Sequence, residues 1–103
     1  MSAVSADEVS LDQAVPWSGH PGLASHVRLR FDRARARHIL LGPESVVVLN
    51  RTGADVLGLC DGRRTVGDIV AELRERYNRV VDDEVRQFLA GLAGKRYVEI
   101  SHG

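Results

Sequence analysis

Hydrophobic positions recur every second residue at the start of the patterned region: Val27, Leu29 and Phe31 alternate with Arg28, Arg30 and Asp32. That period belongs to a strand with one buried face, so all three apolar side chains are expected to point inward. A polar connector from Arg33 to Arg37 leads to the run His38-Ile39-Leu40-Leu41, and Gly42-Pro43-Glu44-Ser45 reads as a turn. Val46-Val47-Val48-Leu49 is short and β-branched, which predicts a third strand. Connections this brief join antiparallel neighbours, because a parallel crossover needs a dozen or more residues.

After Leu49 the spacing becomes helical. Asn50 is a good N-cap, and Leu49, Gly53, Val56, Leu57 and Cys60 share one helical face. Asp61-Gly62 is expected to end this helix, with Gly62 in the left-handed conformation just past it. Thr65-Val66-Gly67-Asp68 has capping-box spacing, with Asp in place of the usual Glu. Val66, Ile69, Val70, Leu73 and Tyr77 follow as an amphipathic stripe that stops near Asn78. Asp82 or Asp83 starts a third helix, and the acidic trio Asp82-Asp83-Glu84 suits its positive end. Val85, Phe88, Leu89 and Leu92 form its inner face, with Lys95-Arg96 at its negative end. Tyr97-Val98-Glu99-Ile100 closes as a short strand or an extended arm.

The predicted architecture is α+β and winged helix-turn-helix-like: a three-stranded antiparallel sheet followed by three α-helices, within residues 25–103. Residues 1–24 read as a flexible N-terminal tail, small and polar to Ala14 and then rich in the breakers Pro16, Gly19, Pro21 and Gly22. Trp17 stands out there as a large apolar ring. It is expected to dock beside Val15, Pro16 and Leu23, on its own domain or on a neighbouring chain.

A chain of 103 residues allows one domain. Lys+Arg and Asp+Glu both number 14, so the basic excess typical of nucleic-acid binders is missing. The acids Asp7, Glu8 and Asp12 stand in the tail, which leaves 14 basic against 11 acidic groups beyond it. All the cations but Lys95 are Arg, a residue suited to carboxylates and planar groups as well as phosphate. Cys60 is the single cysteine, so neither an internal disulfide nor a multi-cysteine metal site is expected. The N-terminus does not read as a signal peptide, and no apolar stretch approaches the ~18 residues of a membrane span. A soluble, cytoplasmic protein without membrane contact is the expectation.

Candidate chemistry is sparse. His20, His26, His38 and His102 are scattered, and only His38 falls on a predicted strand, as a solvated or hydrogen-bonded side chain. No Ser/His/Asp set, HExxH, P-loop or GxGxxG occurs. Cys60 falls on the inner helical stripe, as a small buried hydrophobe rather than a nucleophile. The acids at 82–84 cap a helix and point in different directions, so no metal or cofactor site is expected, nor catalysis.

Binding offers more. A three-stranded sheet with helix-turn-helix spacing permits a winged-helix DNA-binding regulator, but the acidic first turn of the third helix would repel phosphate. The sheet margin is the stronger candidate. Ser45 to Leu49 lacks Pro, Lys and Arg, the usual devices that block an exposed edge. As an edge it would accept an extended peptide as an added strand, with Phe88, Leu89 and Leu92 near the apolar floor. As a central strand it would simply be core, and alternation alone permits both.

The segments Val27-Arg28-Leu29-Arg30-Phe31-Asp32, His38 to Glu44, Val48-Leu49-Asn50 and Leu59-Cys60-Asp61-Gly62 resemble the PqqD family in order and spacing, over roughly residues 27–100. The resemblance implies a peptide chaperone of pyrroloquinoline quinone biosynthesis. Such a chaperone binds the precursor peptide PqqA and presents it to the radical SAM enzyme PqqE. It further implies leader recognition by strand addition against the third strand and third helix. Val46, Val47, Val48 and Leu49 would then supply the edge, and Arg86, Phe88, Leu89 and Arg96 the helical wall. A monomer or weak homodimer is expected, and Val47→Pro is the substitution the sequence suggests for breaking peptide capture.

Overall fold

The computed structural model describes residues 15–102. Its elements run β1 (His20–Leu23), β2 (Arg28–Asp32), β3 (Arg37–Leu41), β4 (Val46–Val48), α1 (Arg51–Gly58), α2 (Val66–Tyr77), α3 (Asp82–Gly94) and β5 (Val98–Ser101). Strands β2, β3 and β4 form an antiparallel sheet in sequence order, and β1 pairs with β5 in a second, two-stranded sheet. The three strands and three helices read from hydropathy are therefore present in the order the periodicities predict.

Local chemistry sets the helix boundaries. The Asn50 side chain accepts from the Gly53 N–H at 2.7 Å and opens α1. Thr65 and Asp68 form a full capping box on α2, and Asn78, at φ 57°, ends that helix in the left-handed conformation. The inner stripes meet in one core, in which Leu40, Ile69, Leu73, Val85 and Leu89 are essentially fully buried. Each such side chain contributes roughly 1.5–3 kcal/mol by leaving water.

Three expectations need correction. The boundary between tail and domain does not fall at residue 24. Val15 is fully buried, residues 20–23 form β1, and β1 pairs with β5 from His20↔Ser101 to Leu23↔Val98. The main-chain carbonyls of this segment also serve α2: Gly19 accepts from Val66 N–H at 2.9 Å, and Trp17 from Gly67 N–H at 3.0 Å. Those are donors that the first turn of a helix leaves unsatisfied. The first 14 residues of the expected tail lie outside the described residues.

Phe31 is 55 % exposed, although Val27, just before the strand, is buried and Leu29 half-buried. The β2–β3 hairpin runs past the edge of the core there, and the Phe31 ring meets His38 edge-on at 5.1 Å. Helix α1 stops at Gly58 with Leu59 as its C-cap, four residues short of Gly62. Gly62 does adopt φ 78°, but in the loop that follows, where its N–H donates to the Pro21 carbonyl at 2.9 Å. That loop conformation serves β1, not the helix end.

Candidate peptide-binding groove

Hydrogen-bond parity decides what β4 offers a partner. In antiparallel pairs, residues that exchange main-chain bonds alternate with residues that do not. Gly42 N–H donates to Ser45 O and Leu49 N–H to His38 O, each at 2.9 Å, and Leu40 faces Val47 between them. The bonded positions on this strand are thus 45, 47 and 49. The N–H and C=O groups of Val46 and Val48 point away from β3, and among the described residues β4 has no other neighbour. Side chains follow the same alternation. Val46 and Val48 are 50 % and 44 % exposed, while Val47 packs against the core.

Helix α3 is tied to this strand's surroundings at two places. At one, the half-buried Phe88 ring lies against the backbone of α1. A Cβ on Gly53 would sit 3.0 Å from Phe88 Cζ and 3.1 Å from Asn50 Oδ1. At the other, Tyr97, just beyond α3, hydrogen-bonds through its hydroxyl to Ser45 Oγ, and its ring covers Gly42 in the β3–β4 turn. A cleft of about 390 Å³ opens at the Asn50 end, lined by Thr52, Gly53, Val56, Glu84, Gln87 and Phe88. Glu84 is held by Arg79 at 2.7 Å on its rim.

The residues expected from the sequence separate on this frame. Val46 and Val48 stand on the open margin, and Phe88 on the α3 flank that faces α1. Val47 belongs to the margin only through its neighbours. Leu49 is buried, its N–H is given to His38, and its carbonyl accepts from Arg37 Nε at 3.2 Å. Leu89 is fully buried in the core and presents nothing to a guest chain.

Arg86 stands about 200° from Phe88 around α3, since successive residues turn by about 100°. On that opposite flank its Nε donates to Val15 O at 3.2 Å and its guanidinium stacks 4.7 Å from the Trp17 ring centre. Trp17 thus docks on its own domain, and Arg86 anchors the N-terminal segment rather than the groove. Arg96 is exposed at the end of α3, at φ 67°. Tyr97, Ser45 and Gly53 frame the site and were not picked out as site residues. A glycine inside the apolar stripe of a helix, costing about 1 kcal/mol there, was the available signal.

The single cysteine is shielded from reaction. Burial pushes the Cys60 thiol up to about 12, with Asp61 adding to the effect, and its Sγ is bonded to Val56 O. A thiol so held is a poor nucleophile. No cluster of His, Cys, Asp and Glu suited to a metal occurs among the described residues. No described helix is long and apolar enough to cross a membrane.

Among the described residues the chain is a small module in which β4, an outer strand of its sheet, stands unpaired on one side near α3, and the chain is similar to known proteins. Residues 37–98 match the family described as coenzyme PQQ synthesis protein D (PqqD). The chain is 42 % identical over 89 residues to the bifunctional coenzyme PQQ synthesis protein C/D of Methylorubrum extorquens, covering 84 % of this chain but 24 % of that larger protein. It is 39 % identical over 82 residues to the PqqA binding protein of Pseudomonas aeruginosa, covering 78 % of this chain and 89 % of the relative. Among solved structures it resembles the PqqD truncation of Methylobacterium extorquens PqqCD, a stand-alone recognition element for ribosomally synthesized, post-translationally modified peptides. The TM-score is 0.73 at 40 % identity, over 84 % of this chain and 95 % of that one. The heterocyclase TruD shares the fold at 19 % identity and TM-score 0.60, over 80 % of this chain and 11 % of TruD. The chain belongs to the PqqD family.

Proposed function

We propose that this protein is a non-catalytic peptide carrier of pyrroloquinoline quinone biosynthesis. It takes PqqA as an added strand on β4 and presents it to the radical SAM enzyme PqqE. The observation that carries this reading is the outward set of main-chain groups on Val46 and Val48. A guest strand can pair with two N–H and two C=O groups there, worth about 1 kcal/mol each. A micromolar complex needs roughly 8 kcal/mol, so apolar contact with Val46, Val48 and Phe88 supplies the remainder and offsets the ordering of the peptide. Presentation then works by raising the effective concentration of the substrate at its enzyme.

Parity also selects the test. Val47 N–H lies on the β3 side, so Val47→Pro would damage the sheet itself and report folding as much as binding. Val48→Pro removes an outward donor and leaves the β3–β4 bonds intact, a position where an edge strand tolerates proline. Calorimetry with synthetic PqqA is expected to show roughly a hundredfold weaker binding, the worth of one lost bond plus the clash of the ring with the guest backbone. The thermal midpoint should stay within about 3 °C of the parent. Unchanged affinity in Val48→Pro would show that the peptide sits elsewhere.

A further inference from the structure

Helix α1 separates two clefts. Thr52, Gly53 and Val56 line the one beside Phe88, whereas Arg51, Ala54 and Asp55 line another that opens toward the end of the β2–β3 hairpin. The second measures about 330 Å³ and is walled by Phe31, Arg37 and His38. Phe31 is the most exposed aromatic ring among the described residues.

The charge around this cleft is one-sided. Arg37 and Arg51 line it, Arg33 and Arg35 lie in the adjoining hairpin turn, and the acid nearest that turn, Asp32, is already paired with Arg35. Arg37 gives its Nε to Leu49 O, which leaves its terminal nitrogens to the cleft. The one acid in the lining, Asp55, accepts from the Tyr77 hydroxyl and lies 3.8 Å from Arg76. The hairpin is also rigidly set. Asp32 Oδ1 accepts from Ala34 N–H at 3.0 Å, and Ala36 N–H donates to Arg33 O at 3.2 Å. An exposed aromatic ring beside the guanidiniums of Arg37 and Arg51 has the composition of a protein-binding hot spot, at little cost in ordering. A nucleic acid fits less well, because the chain has no net positive charge and α3 opens with three acids.

We propose that the hairpin end and the α1 flank bearing Arg51 form a docking surface for an acidic protein face with an apolar socket for Phe31, and that this face belongs to the enzyme that modifies the carried peptide. The identity of that enzyme rests on the carrier reading; the chemistry of the surface does not. Because α1 stands between the clefts, both partners can be held at once, the peptide on the β4 side and the enzyme on the hairpin side.

Two variants test it, each measured against purified PqqE by biolayer interferometry and against synthetic PqqA by calorimetry. Phe31→Ala removes an exposed ring. Arg51→Glu places a carboxylate at the positive end of α1, where it favours folding. Each is expected to weaken PqqE binding about tenfold or more while PqqA affinity stays within about twofold. Full PqqE affinity in both variants overturns the assignment, as does an equal loss of PqqA affinity. Loss confined to duplex DNA in a gel shift, with PqqE binding intact, would overturn it in favour of a nucleic-acid surface. If the parent protein binds no PqqA yet holds PqqE through Phe31 and Arg51, the carrier reading fails and the docking surface stands.

Discussion

Strand β1 has neighbours on both sides. On one lies β5, and on the other Asp61–Gly62, whose Gly62 N–H donates to Pro21 O, while the first turn of α2 donates to Gly19 and Trp17 just before the strand. Strand β4 has β3 on one side and, among the described residues, nothing on the other. The first margin is consumed in holding the chain ends to the helices. The second is left with its bonding groups outward and with β-branched side chains that keep it extended. A small domain has little core to spare, so its stability and its function are divided between two edges of the same chemical kind.

Removing residues 1–24 gives the largest test of that division. It deletes the fully buried Val15 and Pro21, the β1–β5 ladder, and three carbonyl partners of Gly62, Val66 and Gly67. At roughly 1.5–3 kcal/mol for the valine and about 1 kcal/mol per bond, the loss is about 5 kcal/mol or more, comparable to the whole stability of a small domain. The truncated chain is expected to lose its cooperative thermal transition by circular dichroism. A melt matching the full chain would return this segment to the status of a tail.

Helix α3 carries the same division within a single turn. Leu89→Ala empties a fully buried site and should cost about 2–5 kcal/mol in chemical denaturation. Phe88→Ala, one position away, trims a half-buried ring at the groove and should cost less stability but lower PqqA affinity about tenfold. A Phe88→Ala variant that is destabilised as much as Leu89→Ala, with affinity intact, would move Phe88 from groove to core.

What the sequence made legible, and what it hid, follows the same lines. Period-two alternation, Asn50 and the Thr65–Asp68 box exposed the larger sheet and the starts of α1 and α2, because these are local signals. His20-Pro21-Gly22-Leu23 has no alternation and contains two breakers, and its strand is made by distant partners, Val98–Ser101 some 80 residues later and Asp61–Gly62. Alternation also tells which face Phe31 takes but not how far the core extends beneath it. The pairing parity of β4 depends on the Gly42–Ser45 turn, so the sequence offered Val46 to Leu49 alike and chose Val47 for the proline test, where the geometry turns the main-chain groups of Val46 and Val48 outward. Leu89 and Arg86 were placed on a wall because a helical stripe does not say which neighbour each flank meets.

The capping box on α2 tests the closed side more gently. Thr65→Ala removes the acceptor for Asp68 N–H at 3.0 Å and should cost about 1 kcal/mol without touching PqqA affinity. Hydrogen bonds to Thr65, its main-chain N–H first, hold the Asp68 carboxyl below its ordinary range. A carboxyl depressed in the folded state stabilises the fold above its unfolded pKa, about 3.9, and that contribution is lost as pH falls through the lower, folded value. Acid titration of the melt should therefore erode the same helix start below about pH 4.

The smallest effect expected is at Arg96, where the two demands meet in one residue. Tyr97 N–H donates to Leu92 O at 2.9 Å and Arg96 N–H to Ala93 O at 3.0 Å, a Schellman ending that places Arg96 at φ 67°, where glycine is at ease. Arg96→Gly should raise stability by about 0.5–1 kcal/mol in a denaturant titration. A strained backbone is tolerated where its side chain serves, and this side chain stands next to Tyr97, which closes one end of the groove. Calorimetry with PqqA is therefore expected to show a severalfold loss of affinity in the more stable variant. Affinity equal to the parent's would strike Arg96 from the site and leave the groove bounded by Tyr97 alone at that end.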